Sequence, residues 1–537
     1  MTSPNSHQPV VPVLVVGAGP VGLCLAIDLA LRGVPTTVVD RSDGSIVFPT
    51  AESINARTME HFRRFGLAEK LRDEGFPPDY PRVVRFVTRV FGSELVSFAR
   101  PSNRLQPIES ESFSPEGMLW CPRFWFEPML RDRAVELGVS IRWNTECTGF
   151  KEDNDRVVAT LRSTVDNTTE TLKATYLVGC DGASSTIRSA IDVDYEGSFA
   201  EGANLSVLID CPAILKDNPH GAATQIYPVC GSQRIILSAM DGVARWRVTV
   251  PLAADESPDL DAVLADNLGR EVPYQILDSR SWKGHSVVAE RYRRGRVFLA
   301  GDSAHLNWPQ GGHGMNTGIG DAATLSWMLA AMVQGWGGPI LLDAYEAERR
   351  PVAQWTVAVS QHNVGTQQRL PLPADLEDLG PRGERARAEA AEIITDQRRS
   401  EWYSLGLQLG YSYDSSPLVI NDGSPQPPID STVYEPNARP GARAPHLWLA
   451  DGRSSLDCFG EGFVLVRANA TTIDTTTLAE AAASASVPLE VVDFGSSEAR
   501  DLYGAALTLV RPDGHVAWRG DELPDDCHSV VDTVRGA

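Results

Sequence analysis

The hydrophobic pattern at the start of the chain predicts a strand, a helix and a second strand. Residues 13–16 and 36–39 are short apolar runs typical of buried strands. Residues 23–31 form an apolar helix that Gly33 ends. A glycine-rich turn, GAGPVG at 17–22, joins the first strand to this helix.

A later apolar run, residues 297–300, leads into a long glycine-rich segment and another helix. Residues 301–323 read GDSAHLNWPQGGHGMNTGIGDAA, and apolar residues continue at helical spacing to Met332. The free N–H groups and the dipole of a helix N-terminus favour negative charge. The segment therefore predicts a backbone surface for a large, flat, partly anionic ligand. On its own, an ordinary strand-to-helix connection is an equal alternative.

Other segments alternate with a period of two, which is typical of half-buried antiparallel strands. Residues 82–99 do so, as do several runs between 203 and 252. In the run at 244–250 one face is apolar and the other is polar: Ala244, Trp246, Val248 and Val250 against Arg245, Arg247 and Thr249. The polar face is either solvated or lines a pocket.

The remaining pattern predicts further helices and a separate C-terminal unit. Helices are expected at 53–71, 121–134, 341–352 and 383–402, and strands at 139–143 and 175–180. A Pro- and acid-rich linker is expected at 371–377. From about residue 439, strands at 462–467, 489–492 and 507–511 with a helix at 478–485 predict a small α/β domain.

Length and composition indicate a globular protein of two or three domains. The chain has 537 residues, 42% hydrophobic and 22% charged, with a net charge of −22. That charge disfavours nucleic acid and anionic membranes as partners. There is no apolar run of the roughly 20 residues that a membrane span needs. The first residues lack a basic segment before the first strand, so we expect no signal peptide and a cytoplasmic protein.

The eight cysteines are scattered and include no CxxC pair. This pattern argues against zinc sites, dithiol redox chemistry and a disulfide scaffold.

The first turn carries the fingerprint of a dinucleotide site in its required context. Gly17, Gly19 and Gly22 follow a strand and open a helix, and Asp40 closes the next strand, about 20 residues on. Glycines let the backbone approach the pyrophosphate, and the acid accepts hydrogen bonds from the ribose. The pattern indicates an adenine dinucleotide, either NAD or FAD.

Three motifs in order resemble the FAD-dependent aromatic hydroxylases, which are single-component class A flavoprotein monooxygenases. The motifs are GAGPVG at 17–22, DGASSTIR at 181–188 and the glycine-rich segment at 301–323. The tail segments PGARAPH (440–446) and VRPDGHVAWRG (510–520) look like the thioredoxin-like domain of the phenol hydroxylase branch. That branch includes chlorophenol monooxygenases and tailoring oxygenases of aromatic polyketide and indolocarbazole antibiotics.

The resemblance implies an α/β fold with three units. A Rossmann-like FAD-binding domain would comprise residues 1–74, 107–190 and 284–372. An inserted antiparallel-sheet substrate domain would comprise 75–106 and 191–283, followed by a linker and helix at 373–438. A thioredoxin-like α/β domain would comprise 439–537. With only Cys458 and Cys527 in it, we expect this domain to have no redox function.

The resemblance also implies the residues that bind FAD. They are Gly17, Gly19, Pro20, Gly22, Asp40 and Arg41 at the pyrophosphate and adenosine, Asp181 and Gly182 in the second motif, Asp302 at the ribityl chain, and Pro309, Gly312, Gly314, Met315 and Asn316 at the isoalloxazine.

Two positions depart from the family pattern. Thr50 stands where an arginine is common, and Arg123 stands where a glutamine is common. Both positions approach FAD in the family, so we hypothesise that Arg123 compensates for the missing arginine. The alternative is that flavin binds less tightly or docks differently.

The function that the resemblance implies is hydroxylation of a phenolic or polycyclic aromatic substrate with O2 and NAD(P)H through a flavin C4a-hydroperoxide, in secondary metabolism or aromatic degradation. The alternatives are Baeyer–Villiger or decarboxylative oxidation and, in another class, a flavin-binding partner protein without turnover. A homodimer is left open.

No metal is expected, and the sequence identifies no catalytic base. His305 and His313 are interpreted as structural. Tyr227, Arg234 and Trp246 on the predicted sheet are the substrate-site candidates.

Overall fold

The computed structural model describes residues 10–537 except 47, 101–112, 154, 201, 253–257 and 469–472. The predicted domain boundary at 106–107 lies outside the described residues. The strands are β1 Val11–Val16, β2 Thr36–Val39, β3 Ser53–Ile54, β4 Arg82–Val87, β5 Glu94–Arg100, β6 Leu119–Trp120, β7 Ser140–Arg142, β8 Thr145–Asp153, β9 Arg156–Ser163, β10 Thr169–Gly179, β11 Tyr195–Phe199, β12 Ala203–Asp210, β13 Gln225–Pro228, β14 Ile236–Ala239, β15 Arg245–Leu252, β16 Gln275–Trp282, β17 His285–Ala289, β18 Arg293–Arg294, β19 Val297–Leu299, β20 His305–Leu306, β21 Phe463–Arg467, β22 Leu489–Asp493, β23 Leu507–Val510 and β24 Val516–Gly520.

The helices alternate with these strands along the chain. They are α1 Pro20–Leu31, α2 Ala56–Arg64, α3 Ala68–Glu74, α4 Arg123–Glu136, α5 Thr186–Ala190, α6 Ala213–Lys216, α7 Leu260–Leu268, α8 Gly314–Gln334, α9 Leu341–Gln368, α10 Pro381–Trp402, α11 Leu405–Leu409, α12 Thr476–Ser484, α13 Ser497–Tyr503 and α14 Cys527–Arg535. Short 3-10 turns lie at Gly301–Ser303 and Ser455–Cys458.

The first sheet carries the nucleotide-binding motif. Its strand order is β18-β19-β10-β1-β2-β7, and the hairpin β8–β9 extends β10. The strands from β19 to β7 are parallel to one another. β1 and β2 are almost wholly buried because helices cover both faces of a parallel sheet. The carboxyl ends of β1, β10 and β19 therefore meet at one edge, where the three motifs follow.

A second sheet with strand order β16-β12-β15-β14-β13-β4-β5 stands beside this edge. All its strand pairs are antiparallel except β13 with β4. The helix α10 packs on the strands β4, β5 and β13 through an apolar cluster that includes Phe86, Phe98 and Trp402. The helix α10 is thereby fixed against the sheet along most of its length.

The C-terminal sheet has strand order β22-β21-β23-β24, and both of its faces are buried. One face belongs to a small cluster with Ala499 and Tyr503. The other face belongs to the same hydrophobic core as α1 and α8, with Trp327, Trp336 and Phe463 in mutual ring contact. The predicted α/β fold class, with a parallel sheet, an antiparallel sheet and a C-terminal α/β unit, is confirmed.

Two predicted helices differ in the structure. The helix expected at 53–71 is a short strand, β3, followed by α2 and α3, because Gly66 breaks the helix with φ +76°. The helix expected at 341–352 continues to Gln368, although Pro351 lacks the N–H that would donate within it. This longer helix reaches the cavity described below.

Candidate active site

The turn after β1 is a backbone cradle that only glycine can form. Gly17 has φ +110°, and a Cβ there would lie 2.3 Å from the carbonyl oxygen of Cys180. A Cβ on Gly22 would lie 2.0 Å from the carbonyl oxygen of Gly17. A Cβ on Gly19 would meet only the Arg123 side chain, at 3.9 Å, and Pro20 occupies the first position of α1, where its missing N–H costs nothing. The turn thus presents bare backbone at a helix N-terminus.

Asp40 holds this cradle in shape. Its Oδ2 accepts a hydrogen bond from the Ala18 N–H at 2.7 Å, and its Oδ1 accepts from the Ser42 N–H at 2.8 Å. Oδ1 also accepts from the Ser42 hydroxyl at 2.7 Å, whereas Oδ2 keeps a second lone pair. Asp40 can therefore also accept a hydroxyl from a ligand in the cavity that it lines.

Arg123 lies beside the same turn. Its main-chain N–H donates to the Thr50 carbonyl oxygen at 3.2 Å, and its Nε donates to Glu127. One terminal nitrogen of its guanidinium would lie 3.9 Å from a Cβ on Gly19. The two positions that depart from the family pattern are therefore adjacent, and the arginine charge lies at the mouth of the glycine turn.

The second motif is a loop locked by its own side chains. Asp181 accepts from the Ser185 hydroxyl at 2.5 Å and from the Ile187 N–H at 3.1 Å, so its carboxylate caps α5. Arg188 donates to the Tyr195 hydroxyl at 2.6 Å, which in turn donates to the Asp302 carbonyl oxygen at 2.7 Å. This chain of bonds joins the second motif to the third.

The third motif forms a loop and the N-terminus of α8. Gly311 and Gly312 have φ of +99° and +69°. The Asn316 amide donates to the carbonyl oxygens of Ser53 and Gly312 at 2.9 and 2.6 Å, while its oxygen accepts from the Asn55 N–H at 2.9 Å. The Asn316 side chain therefore fixes the loop from behind.

Two histidines of this motif are buried in different surroundings. His305 contacts Asp321 at 2.9 Å, and Asp321 also accepts from Arg349 at 2.8 Å and from the Gly301 N–H at 3.1 Å. Burial alone would raise the pKa of Asp321, but Arg349 and His305 lower it overall. This network supports the turn at Asp302 from beneath, in keeping with a structural role for His305.

His313 lines the cavity, and burial lowers its pKa to about 4. Its imidazole is therefore neutral at pH 7. No hydrogen bond to its Nε2 is present among the described residues.

These motifs and the second sheet enclose one cavity of about 1450 Å³. An ordinary pocket for a small ligand measures about 300–1,000 Å³, so the space suffices for a large cofactor and a second molecule. Of the residues predicted to bind the cofactor, all line the cavity except Gly22 and Asn316, which lie behind its wall. The bare glycine cradle, the helix N-termini and Asp40 fit a dinucleotide.

The far end of the cavity is an aromatic chamber. Tyr227, Phe98 and Trp402 line it, and the rings of Phe98 and Trp402 stack with centroids 5.0 Å apart. Arg247 and Glu52 form an ion pair in its wall. The polar face of β15 therefore lines a pocket. Of the two alternatives for this face, solvent exposure and a pocket lining, the structure shows the second.

Two substrate-site candidates are not brought to this chamber. Trp246 is 2% exposed and packs into the core on the apolar face of β15, opposite Arg247. Arg234 is exposed before β14. Neither is among the described residues that line the cavity. For Trp246 the reason is that the alternation of β15 turns its polar face, not its aromatic one, towards the cavity.

Two family models match the chain. One is described as an FAD binding domain and matches residues 10–360. The other is described as the C-terminal region of aromatic-ring hydroxylases and matches residues 437–537. The chain belongs to the FAD-dependent aromatic-ring hydroxylases.

Relatives of this hydroxylase span its whole length. A 4-methyl-5-nitrocatechol 5-monooxygenase from Burkholderia sp. is 32% identical over 98% of this chain and 97% of its own. The structure of RebC, soaked with chromopyrrolic acid and holding 7-carboxy-K252c, is 38% identical with a TM-score of 0.92, covering 98% of this chain and 99% of that one. A ternary complex of aklavinone-11 hydroxylase with FAD and aklavinone is 28% identical with a TM-score of 0.84, covering 100% of both chains.

The structure also brings into the cavity of this hydroxylase residues that the sequence did not indicate. Glu401 and Trp402 come from the end of α10, and Phe98 comes from β5. The aromatic pair Trp402-Tyr403 at the end of a charged helix is the only signal for them in the sequence. In the described part of the chain, no helix combines the length and apolarity of a membrane span, and no three side chains of metal-ligating type cluster together.

Proposed function

We propose that this flavoenzyme hydroxylates a phenolic or polycyclic aromatic substrate, with O2 as the oxidant and NAD(P)H as the reductant. The observation that supports this most directly is the continuity of the cavity, which runs from the glycine cradle to the aromatic chamber without a dividing wall. FAD, when bound, supplies the redox chemistry. The protein has to bind and orient the cofactor and the substrate and to exclude water.

The proposed cofactor contacts follow the three motifs. Gly17, Gly19 and Pro20 would carry the pyrophosphate at the start of α1, and Asp40 the adenosine ribose. Asp302 would accept from the ribityl chain. The loop from Pro309 to Met315 would face the isoalloxazine, and the α8 dipole there stabilises negative charge by about 0.3–1 kcal/mol.

The chamber suits an uncharged planar substrate. Its aromatic walls offer stacking surfaces, each ring pair contributing about 0.5–1.5 kcal/mol beyond area burial. Arg247 is paired with Glu52, and Arg398 with Glu401. These paired charges leave little net field for an ionic substrate, which favours a neutral phenol.

We further propose that the enzyme acts in the cytoplasm and that the three units have the boundaries given above. The eight cysteines are free thiols, which suits a reducing compartment. Assembly as a homodimer is left open.

The experiment that tests the function starts from the purified protein. We expect a yellow protein that releases FAD, not FMN, on denaturation, and NADPH oxidation that candidate phenols stimulate. The product should keep its carbon skeleton and gain one oxygen atom. A ring-expanded ester or a decarboxylated product would favour the alternative oxidations. FAD binding without phenol-stimulated turnover would favour the non-catalytic alternative, and a colourless protein that FAD cannot reconstitute would contradict the proposal.

A further inference from the structure

One buried carboxylate stands in the chamber wall, outside all three sequence motifs. Glu401 lies in the last turn of α10, lines the cavity and is only 4% exposed. We propose that Glu401 contacts the hydroxyl of a phenolic substrate and accepts its proton while oxygen enters the ring. This inference rests on the proposed function and assigns the catalytic base that the motifs leave open.

The geometry holds this carboxylate between the aromatic wall and the glycine loop. Arg398, which is 1% exposed, donates to Glu401 through one terminal nitrogen and to the Asn363 carbonyl oxygen through the other at 3.0 Å. The Gly311 N–H lies close enough to the Glu401 carboxylate to lower its pKa. Gly311 belongs to the loop that we expect to face the isoalloxazine, so Glu401 lies where substrate and cofactor would meet.

The charges around Glu401 suit a base. Burial raises its pKa, and the Arg398 charge and the Gly311 N–H offset only part of that rise. A carboxylate with a raised pKa accepts a phenolic proton more readily, and the adjacent Arg398 charge favours its ionised form. The other titratable groups that line this part of the cavity are Tyr227 on β13, Arg247 on β15, Glu52 before β3, His313 in the glycine loop and Arg82 on β4, which donates to the Met118 carbonyl oxygen. Arg247 and Glu52 neutralise each other, and His313 is neutral at pH 7.

In the proposed step the phenolic proton moves to Glu401, and an electron pair of the ring forms the new bond between carbon and oxygen. The O–H bond of the substrate breaks, its proton passes to a Glu401 oxygen, and the electron pair stays on the ring oxygen. The neighbouring ring carbon, now richer in electrons, forms its bond to one oxygen atom derived from O2. The O–O bond breaks and the other oxygen atom leaves as water, for which NAD(P)H supplies two electrons as a hydride and solvent supplies the remaining protons. The C–H proton then leaves to solvent, and the proton on Glu401 returns to the ring oxygen.

The competing interpretation is that Glu401 only ties α10 to the glycine loop. A Glu401→Gln variant separates the two roles, because the glutamine oxygen can still accept from Arg398 but cannot take a proton. General-base catalysis contributes about 10²–10⁴-fold. We therefore expect single-turnover hydroxylation of 2,4-dichlorophenol to slow by about 10²-fold or more, with FAD content unchanged and more NADPH oxidised per product formed.

Glu116→Gln is the matched control. Glu116 is also fully buried, is paired with Arg63 and Arg72, and has a pKa that burial raises, but it lies outside the cavity lining. We expect this variant to hydroxylate at the wild-type rate per bound FAD. Equal losses in both variants would show a general effect of removing a buried charge and would overturn the proposal.

The Arg398→Gln variant tests the base through its pH profile. Removing the cation raises the pKa of Glu401 further, so the acid limb of kcat/KM should move to higher pH. In Glu401→Gln the limb should disappear. An acid limb that stays in place in both variants would contradict a base at this position.

A binding measurement gives a readout that needs no turnover. With oxidised holoenzyme and no NADPH, we expect the absorbance titration of bound 4-methyl-5-nitrocatechol to show a higher phenolic pKa in the wild type than in Glu401→Gln, because the carboxylate repels a phenolate. Identical titrations would show that Glu401 does not contact the phenol. If the wild type neither binds nor turns over the two phenols, the proposed substrate class is wrong. If the wild type hydroxylates a phenol and Glu401→Gln does so at the same rate, only the proposed role of Glu401 is wrong.

Discussion

At the scale of single residues, Arg123 lies where it can replace the arginine that the family commonly has near Thr50. It is the first residue of α4, its main chain bonds to Thr50, and its guanidinium reaches the side of Gly19. Glu127, which is 3% exposed, holds the Nε. The terminal nitrogens are thereby aimed at the turn that we propose to carry the pyrophosphate. This placement supports the hypothesis that Arg123 replaces the arginine missing near Thr50.

We predict that Arg123→Ala lowers FAD affinity by one to two decades. The physical reason is the loss of a charge-assisted hydrogen bond, worth about 1.5–3 kcal/mol. FAD retention is measured by fluorescence of released flavin during dialysis. Arg133→Ala on the same helix, where the side chain pairs with Glu136 away from the cavity, should retain FAD as the wild type does. Equal retention in both variants would return Arg123 to the role of a partly exposed charge.

Among the helices and strands, the cradle depends on how closely α1 and α8 approach the first sheet. A Cβ on Gly22 would meet the Gly17 carbonyl oxygen, and a Cβ on Gly318 would lie 2.8 Å from the Gly301 Cα. The two helices pack on each other and on the strand ends where the motifs begin. The glycines therefore set the distance between the helix N-termini and the strands.

We predict that Gly22→Ala prevents α1 from packing and abolishes FAD binding, because a contact of 2.0 Å to backbone cannot be relieved by side-chain movement. Gly33→Ala is the comparison: Gly33 has φ +72°, but a Cβ added there would meet no atom within 4 Å, so only backbone strain of about 1–3 kcal/mol is expected. Thermal unfolding and flavin content measure both. A Gly22→Ala protein as stable and yellow as Gly33→Ala would contradict this account of the cradle.

In the molecule as a whole, the C-terminal unit is built into the flavin-binding part. Arg511 donates to both oxygens of Glu348 on α9 at 2.6 and 2.7 Å and to Asp513 at 2.7 Å, all in fully buried positions. Arg443 pairs with Glu60 on α2. Together with the shared hydrophobic core, these ion pairs make the tail part of the support for α2, α8 and α9.

The Glu60–Arg443 pair predicts an acid-dependent loss of stability. Burial alone would raise the pKa of Glu60, but Arg443 and Arg57 lower it to about 2. A depressed pKa in the folded state contributes stability above the unfolded value of about 4.3, and this is lost as the pH falls towards 2. We therefore expect the free energy of unfolding of Glu60→Gln to be about 3–5 kcal/mol lower than that of the wild type at pH 7. This difference in free energy should become smaller below about pH 4.

Thermal unfolding of the two proteins at pH 7, 5, 4 and 3 checks this. Glu389→Gln on α10, an exposed position, should follow the wild type at every pH. A difference in stability between wild type and Glu60→Gln that stays constant with pH would show that Glu60 is not ionised in the folded protein.

For the tail as a whole, we predict a structural role without thiol chemistry. Cys458 and Cys527 are free in the structure, and burial raises the pKa of both thiols, which makes them poor nucleophiles. The Cys458→Ser/Cys527→Ser variant should keep full NADPH oxidation and hydroxylation. Truncation after residue 436 should give insoluble protein because it exposes the core around Trp327. A double variant that is folded and flavin-loaded but inactive would reveal a thiol role.

The features that depend on short-range geometry could be predicted from the amino-acid sequence alone. Glycine turns with positive φ, apolar strands and helix starts are set by neighbouring residues, so local pattern was enough for the βαβ unit, the three motifs and the small C-terminal unit. The assignment of individual residues to FAD stays a prediction, although all but Gly22 and Asn316 line one cavity.

Which side chains form the chamber depends on packing between segments that are far apart in the chain. Phe98, Tyr227 and Glu401 are far apart in the chain and meet because α10 packs on the second sheet. Alternation along β15 predicts two faces, but it cannot tell which face a distant helix and loop will cover, and for this reason Arg247 lines the pocket while the predicted Trp246 does not. The union of the tail with the flavin core likewise depends on contacts between residues hundreds of positions apart, which no local pattern encodes.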